Sequence, residues 1–166
     1  MFKKLILVLA VIMPLSVFAQ KFASVNIEEV IAAMPESKAA DAQIAEASKK
    51  YEAEFQKVQE ELQKLYTDFQ AIQNDPNTPD TIKERRMQEI QEKANKSDQF
   101  RQNAYQELQQ LNDQLMAPIQ QKLTEAINAV GQEGNFTAVV ALGQFLYQGP
   151  EIIDATPLVK AKLGIQ

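Results

Sequence analysis

Apolar positions recur at helical spacing through the middle of the chain and at strand-like spacing toward both ends. From Tyr51 onward the apolar residues Tyr51, Phe55, Val58, Leu62, Leu65, Phe69 and Ile72 advance in alternating steps of four and three, with Ile44 one heptad earlier. That is the seam of a heptad helix. The theme returns at Met87, Ile90, Ala94, Ala104, Leu108, Leu111 and Leu115, and continues after Pro118 as Ile119, Leu123, Ile127 and Val130. Between the two runs, Asp75-Pro76-Asn77-Thr78-Pro79 is dense turn punctuation. The first helix is expected from Pro35 to about Asn74. The second is expected from Pro79, capped by Thr78 and by a Thr81–Glu84 capping box, to about Val130, stopping at Gly131 and Gly134. Pro118 is expected to kink it.

The two seams complement each other. If the chain turns near Asn77 and returns, facing residues have a nearly constant sum of residue numbers. Ile44 with Leu111, Tyr51 with Ala104, Phe55 with Phe100, and Leu65 with Ile90 all share one sum, and Leu62 with Ala94 lies one away. The pattern predicts an antiparallel coiled-coil hairpin over residues 35–131, turning at 75–79. Its reach is roughly 58 Å for about 39 residues per helix. Its middle is polar: Val58 faces Ser97, and Ser48 and Arg101 take seam positions. This waist is expected to let the arm bend.

Strand-like patterns flank the hairpin. Phe22-Ala23-Ser24-Val25 alternates large and small residues, and Asn26 with Glu29 caps a short helix through Ile31. Asn135 to Leu142 reads as a second strand, carrying Phe136, Val139, Val140 and Leu142. Gly143-Gln144 then turns the chain into a third, Phe145-Leu146-Tyr147. Thr156-Pro157 starts a closing helix over Leu158 to Leu163. Residues 20–34 and 132–166 together form a small assembly body, with Phe22, Val25, Phe136, Val139, Val140, Leu142 and Phe145 as its candidate core. So few residues rarely fold alone without disulfides or metals, which leaves oligomerisation as the staple.

The first residues are of another kind. Lys3 and Lys4 precede an apolar run from Leu5 to Phe18, and Val17 and Ala19 are small residues placed for cleavage after Ala19. Residues 1–19 read as an export signal. A retained anchor is the competing reading, and the run is short for a span of about 20 residues. Taking Lys3 and Lys4 from the 17 basic residues leaves 15 against 22 acidic ones, a net −7. That balance argues against nucleic acid and against a basic lipid-surface helix, leaving membrane contact transient at most. With no His and no Cys, thiol chemistry, His acid–base catalysis and the usual zinc sets are absent from the chain. No phosphate-cradling glycine loop occurs, and the carboxylates fall on helix faces. No enzyme activity and no cofactor are expected.

In order, a strand reading F-A-S-V-N-I-E-E-V, two long heptad helices, the strand Phe136-Thr137-Ala138-Val139-Val140, a hairpin ending in Tyr147, and the helix start Asp154-Ala155-Thr156 resemble the Skp/OmpH family of periplasmic chaperones over nearly the whole mature chain. The resemblance implies an α+β, predominantly α fold, in which the hairpin arm is inserted in a small β-rich trimerisation body. It also implies an ATP-independent holdase enclosing unfolded outer-membrane proteins in the periplasm. A structural spacer or tether of the cell envelope, binding one folded partner, is the alternative reading. Tyr66, Phe100 and Tyr105 flank the seam, either completing a thin core or touching clients. Lys83, Arg85 and Arg86 near the turn are either a solvated face or a site for acidic clients. The acidic balance carries no lipopolysaccharide site with it.

Overall fold

The computed structural model describes residues 20–165. The expected export signal, residues 1–19, lies outside the described residues. Four helices and three short strands follow in the order β1 (Phe22–Val25), α1 (Ile27–Ala33), α2 (Pro35–Gln73), α3 (Asp80–Glu133), β2 (Ala138–Ala141), β3 (Ile153–Asp154) and α4 (Thr156–Lys162). The protein is mostly helical with one small sheet.

Helices α2 and α3 form because their stretches are rich in Ala, Gln, Glu, Lys and Leu, all good helix formers. Pro35 sits at the first turn of α2, where its missing N–H costs nothing. Met34 is both the end of α1 and the start of α2, and is 1% exposed. The turn between the long helices is held by Asp75 rather than by the expected Thr78 cap. Its carboxylate accepts the Asn77 N–H at 3.0 Å and the Thr78 hydroxyl at 2.8 Å. With Thr78 turned back on Asp75, α3 starts at Asp80 with no side-chain cap. Those bonds to Asn77 and Thr78 hold the Asp75 carboxyl below its ordinary range.

α3 runs as one helix through Pro118, and past Gly131 to Glu133. Its end is a Schellman motif in which Asn135, not a glycine, takes the left-handed position, φ 49°. Asn135 N–H donates to the Gln132 carbonyl at 3.2 Å, and Phe136 N–H to the Gly131 carbonyl at 3.0 Å. α4 ends in the same way, with Gly164 at φ 71° and Ile165 N–H bonded to the Lys160 carbonyl at 3.0 Å.

The sheet has the order β2-β1-β3, and both pairings are parallel. β1 is therefore central and is sealed by chain that comes more than a hundred residues later. Two expectations about the body need correction. Phe145-Leu146-Tyr147 is not a strand, and the third strand is Ile153–Asp154. The physical reason is the pinning of residues 155 and 156: Ala155 N–H donates to the Ser24 carbonyl at 2.7 Å, and Asn26 N–H donates to the Thr156 hydroxyl at 2.9 Å. Those bonds draw residues 153–154 alongside β1. The sheet is also shorter than a β-rich body would be, and Leu142 falls just beyond β2, exposed.

Asn26 caps α1 as expected, accepting the Glu29 N–H at 3.1 Å. A compact core joins the sheet, α1, the last turns of α3 and α4: Ala23, Val25, Val30, Leu123, Ala126, Val130, Ala155 and Val159, with Phe136 and Val139 against it. A second, smaller cluster of Met34, Ala40 and Ile119 sits where the long helices begin to part from the sheet. Among the described residues, every buried side-chain polar atom has a hydrogen-bond partner.

Candidate functional site

α2 and α3 lie against each other in opposite directions, so the candidate surface is long rather than concave. Along α2, Ile44, Tyr51, Phe55, Val58, Leu62, Leu65, Phe69 and Ile72 are all half-buried, while the positions between them are mostly exposed. Opposite them on α3, Ile90 and Ala104 are buried, and Ala94, Leu108, Leu111 and Leu115 are half-buried. Two helices bury one stripe each and no more, so the seam stays partly wet.

The polar middle carries cross-helix ties. Ser97 is buried, and its hydroxyl accepts the Gln59 side-chain N–H at 2.9 Å. Lys93 pairs with Glu61, holding that carboxyl below its ordinary value. Nearer the sheet, Lys122 pairs with Glu36 at 2.5 Å and likewise lowers its carboxyl. Lys160 bonds Glu29 at 2.6 Å, and Lys162 bonds Glu133 at 2.5 Å, joining α4 to α1 and α3. Most of these charges are well exposed, so each tie adds little to stability.

Tyr51 and Phe100 meet edge to face, with ring centroids 6.2 Å apart and planes at 63°. The Tyr51 hydroxyl donates to Glu107 across the helices, and that bond to an anion pushes the phenol above its ordinary value. Beside the pair lies an open groove of about 420 Å³ floored by Phe55, Ala104 and Leu108 and edged by Tyr105. Of the three flanking aromatics, Phe100 is drawn into the helix interface. Tyr66 is 44% exposed and Tyr105 71% exposed. Near the turn, Arg85 and Arg86 both reach Glu89, at 3.4 and 2.6 Å. The single Glu89 carboxylate offsets one of the two guanidinium charges within the helix, and Lys83 is half-buried.

Around the small sheet the picture differs. Val25 is buried; Phe136, Val139, Val140 and Phe145 are half-buried; Phe22 and Leu142 are exposed. Leu146, Tyr147, Ile153 and Leu158 are exposed as well. Sequence reasoning did not single out Leu146, Tyr147, Ile153 or Leu158 as surface. Their apolar character reads as core until the sheet's actual order is known. Among the described residues no group of acidic side chains is placed to hold a metal ion, and no helix is long and apolar enough to cross a membrane.

A long helix pair rooted in a three-stranded parallel sheet, with its surface apolar in patches, defines the architecture as that of a helical-arm protein. The chain belongs to the OmpH-like family: the family profile described as outer membrane protein (OmpH-like) matches residues 21–163. The fold is shared with a crystal structure of a candidate outer membrane chaperone (OmpH-like) from Caulobacter crescentus CB15. That likeness has a TM-score of 0.72 at 18% identity, and covers 87% of this chain and 83% of that one. No curated protein sequence matches the chain.

Proposed function

We propose that this protein is an ATP-independent holdase of the periplasm, which encloses unfolded outer-membrane proteins and prevents their aggregation. In this reading residues 1–19 are a signal cleaved after Ala19, residues 20–34 and 132–166 are an assembly body, and residues 35–131 are a coiled-coil arm. Three copies gather through the body and hold their arms around a shared space. No catalytic step is needed and none is assigned.

The observation that carries the reading is the half-buried seam between α2 and α3. A helix pair that exposes Tyr66, Tyr105 and an apolar-floored groove beside Tyr51 offers many shallow contacts and no single deep pocket. Shallow contacts hold a client only when many act together, and tethering several arms to one body supplies the effective concentration that makes them do so. The amide-rich face around Gln109, Gln110, Gln120 and Gln121, all exposed, keeps that lining wet and adaptable. Release then comes from the client's own folding, with no nucleotide consumed.

The test is aggregation of a denatured β-barrel protein diluted from urea, followed by light scattering. An equimolar amount of the assembled protein is expected to suppress it, and Tyr66→Ser with Tyr105→Ser to weaken that suppression. No suppression at all refutes the holdase and leaves the envelope tether.

A further inference from the structure

We infer that Gln20 is a self-modifying site: once it is the first residue of the exported chain, it closes on itself to pyroglutamate and so seals the chain end that leads into the central strand β1. The inference rests on the reading that the chain is cleaved after Ala19, and it adds the covalent step that such a cleavage sets up.

The chemistry follows from which residue cleavage leaves in front. In an N-terminal Gln the α-amine and the side-chain Cδ are the two ends of a five-membered ring. The amine nitrogen attacks the carboxamide carbon, so an N–Cδ bond forms and the Cδ–Nε2 bond breaks. One hydrogen of the amine passes to the departing nitrogen, which leaves as ammonia. Atoms and electrons balance without an oxidant, a nucleotide or a metal. Both reacting groups belong to one residue, so no encounter has to be arranged. The amine must be neutral to attack, and with an ordinary value of about 7.7–8.0 roughly a tenth of it is neutral at pH 7.

The fold leaves this residue free to react and makes the result matter. Gln20 is exposed and lies ahead of β1, which begins at Phe22. Its side chain can therefore rotate back onto its own amine. The next residue is already held, because the Lys21 carbonyl accepts the Thr137 N–H at 2.7 Å. Beyond it, Ala23 and Ser24 pair with both β2 and β3, and Ala23, Ser24 and Val25 are buried. Only Gln20 and Lys21 thus stand between the cleaved end and the strand on which the sheet is built. An aminopeptidase grips a free α-amine and removes residues singly, so it would reach β1 after two cuts. The lactam offers no amine to grip. It also removes one positive charge from a mature chain that is already acidic.

The experiment uses the full chain, exported with its own signal and purified from the periplasm. The protein is held at neutral pH for several days, then read by intact mass and by Edman degradation. The wild type is expected to weigh one ammonia less than residues 20–166 and to give no Edman sequence. Gln20→Asn keeps an exposed carboxamide but could close only a strained four-membered ring. It is expected to keep its ammonia and to give a readable sequence that continues Lys-Phe-Ala-Ser. A general aminopeptidase is expected to shorten Gln20→Asn and to leave the aged wild type whole. The inference is overturned if the aged wild type still reads Gln first, if Gln20→Asn loses ammonia as readily, or if the peptidase treats the two alike. A mass that retains residues 1–19, or that begins at another residue, overturns the cleavage reading and this inference with it, and the mass alone tells that failure from a failure of the ring closure.

Discussion

Replacing Thr156 by Val tests whether one hydroxyl knits the two ends of the chain together. Thr156 is 4% exposed, and its hydroxyl accepts the Asn26 backbone N–H at 2.9 Å, across 130 residues of sequence. Val keeps the shape and the methyl but removes the acceptor. The Asn26 N–H is then left without its partner at the junction of β1 and α1, at a cost of about 1–3 kcal/mol. Ser keeps the acceptor and deletes a methyl, which costs about 0.8 kcal/mol. The order of stability is therefore wild type, then Ser, then Val. Urea unfolding followed by circular dichroism measures this, with protein concentration fixed because assembly adds to apparent stability. With a slope of about 2 kcal/mol/M, a loss of about 2 kcal/mol moves the Val midpoint down by about 1 M. If Val proved as stable as wild type, or more stable than Ser, the hydroxyl would not be the tie, and some other contact would have to bring residues 153–154 to the sheet.

Further outcomes are expected from the same geometry. Gly134→Ala would drive a Cβ into the Phe136 ring, which itself packs on the core, so a loss of about 1–3 kcal/mol in urea unfolding is expected. Pro118→Ala returns a backbone donor to a continuous helix and is expected to raise the thermal midpoint, by up to about 3 kcal/mol of stability. The Thr156 side chain and then its N–H hold the Asp154 carboxyl below its ordinary value, and Lys122 does the same for Glu36. A lowered carboxyl contributes stability above its unfolded value and loses it as pH falls through the folded one. Stability is therefore expected to be flat near neutrality and to decline on acidification below the ordinary carboxylate range, less steeply in Thr156→Val, as read by melting temperature against pH.

Local rules made much of this protein legible. Helix formers with no Gly or Pro beyond Pro35 and a seam at alternating steps of four and three describe α2, a recurring apolar spacing describes α3 despite Pro118 and Gly131, and a proline-rich turn describes the join between them, from sequence alone. Asn26 and Glu29 announced the cap they form. Such features read well because their partners lie within a turn or two of helix, or mirror each other about one loop. The cap at Thr78 failed for an equally local reason: Asp75 competes for the same residue, and pattern reading has no way to rank the two.

The sheet could not be read in that way. Its three strands hold 4, 4 and 2 residues, and β1 pairs on both sides with chain from the far end. Strand signals that short are matched by Phe145-Leu146-Tyr147, which has better strand residues than Ile153–Asp154 and yet stays unpaired. What decided between them was tertiary: the Ala155 and Thr156 bonds to β1 and α1 bring residues 153–154 into reach of an N–H and carbonyl ladder. Exposure was decided there too. Leu146 and Tyr147 look like core by composition, and only the path of the chain beyond Gly143 turns them outward. Composition sets what a segment would gain by burial, but contacts distant in sequence determine which segment is buried, because each site beside β1 admits only one.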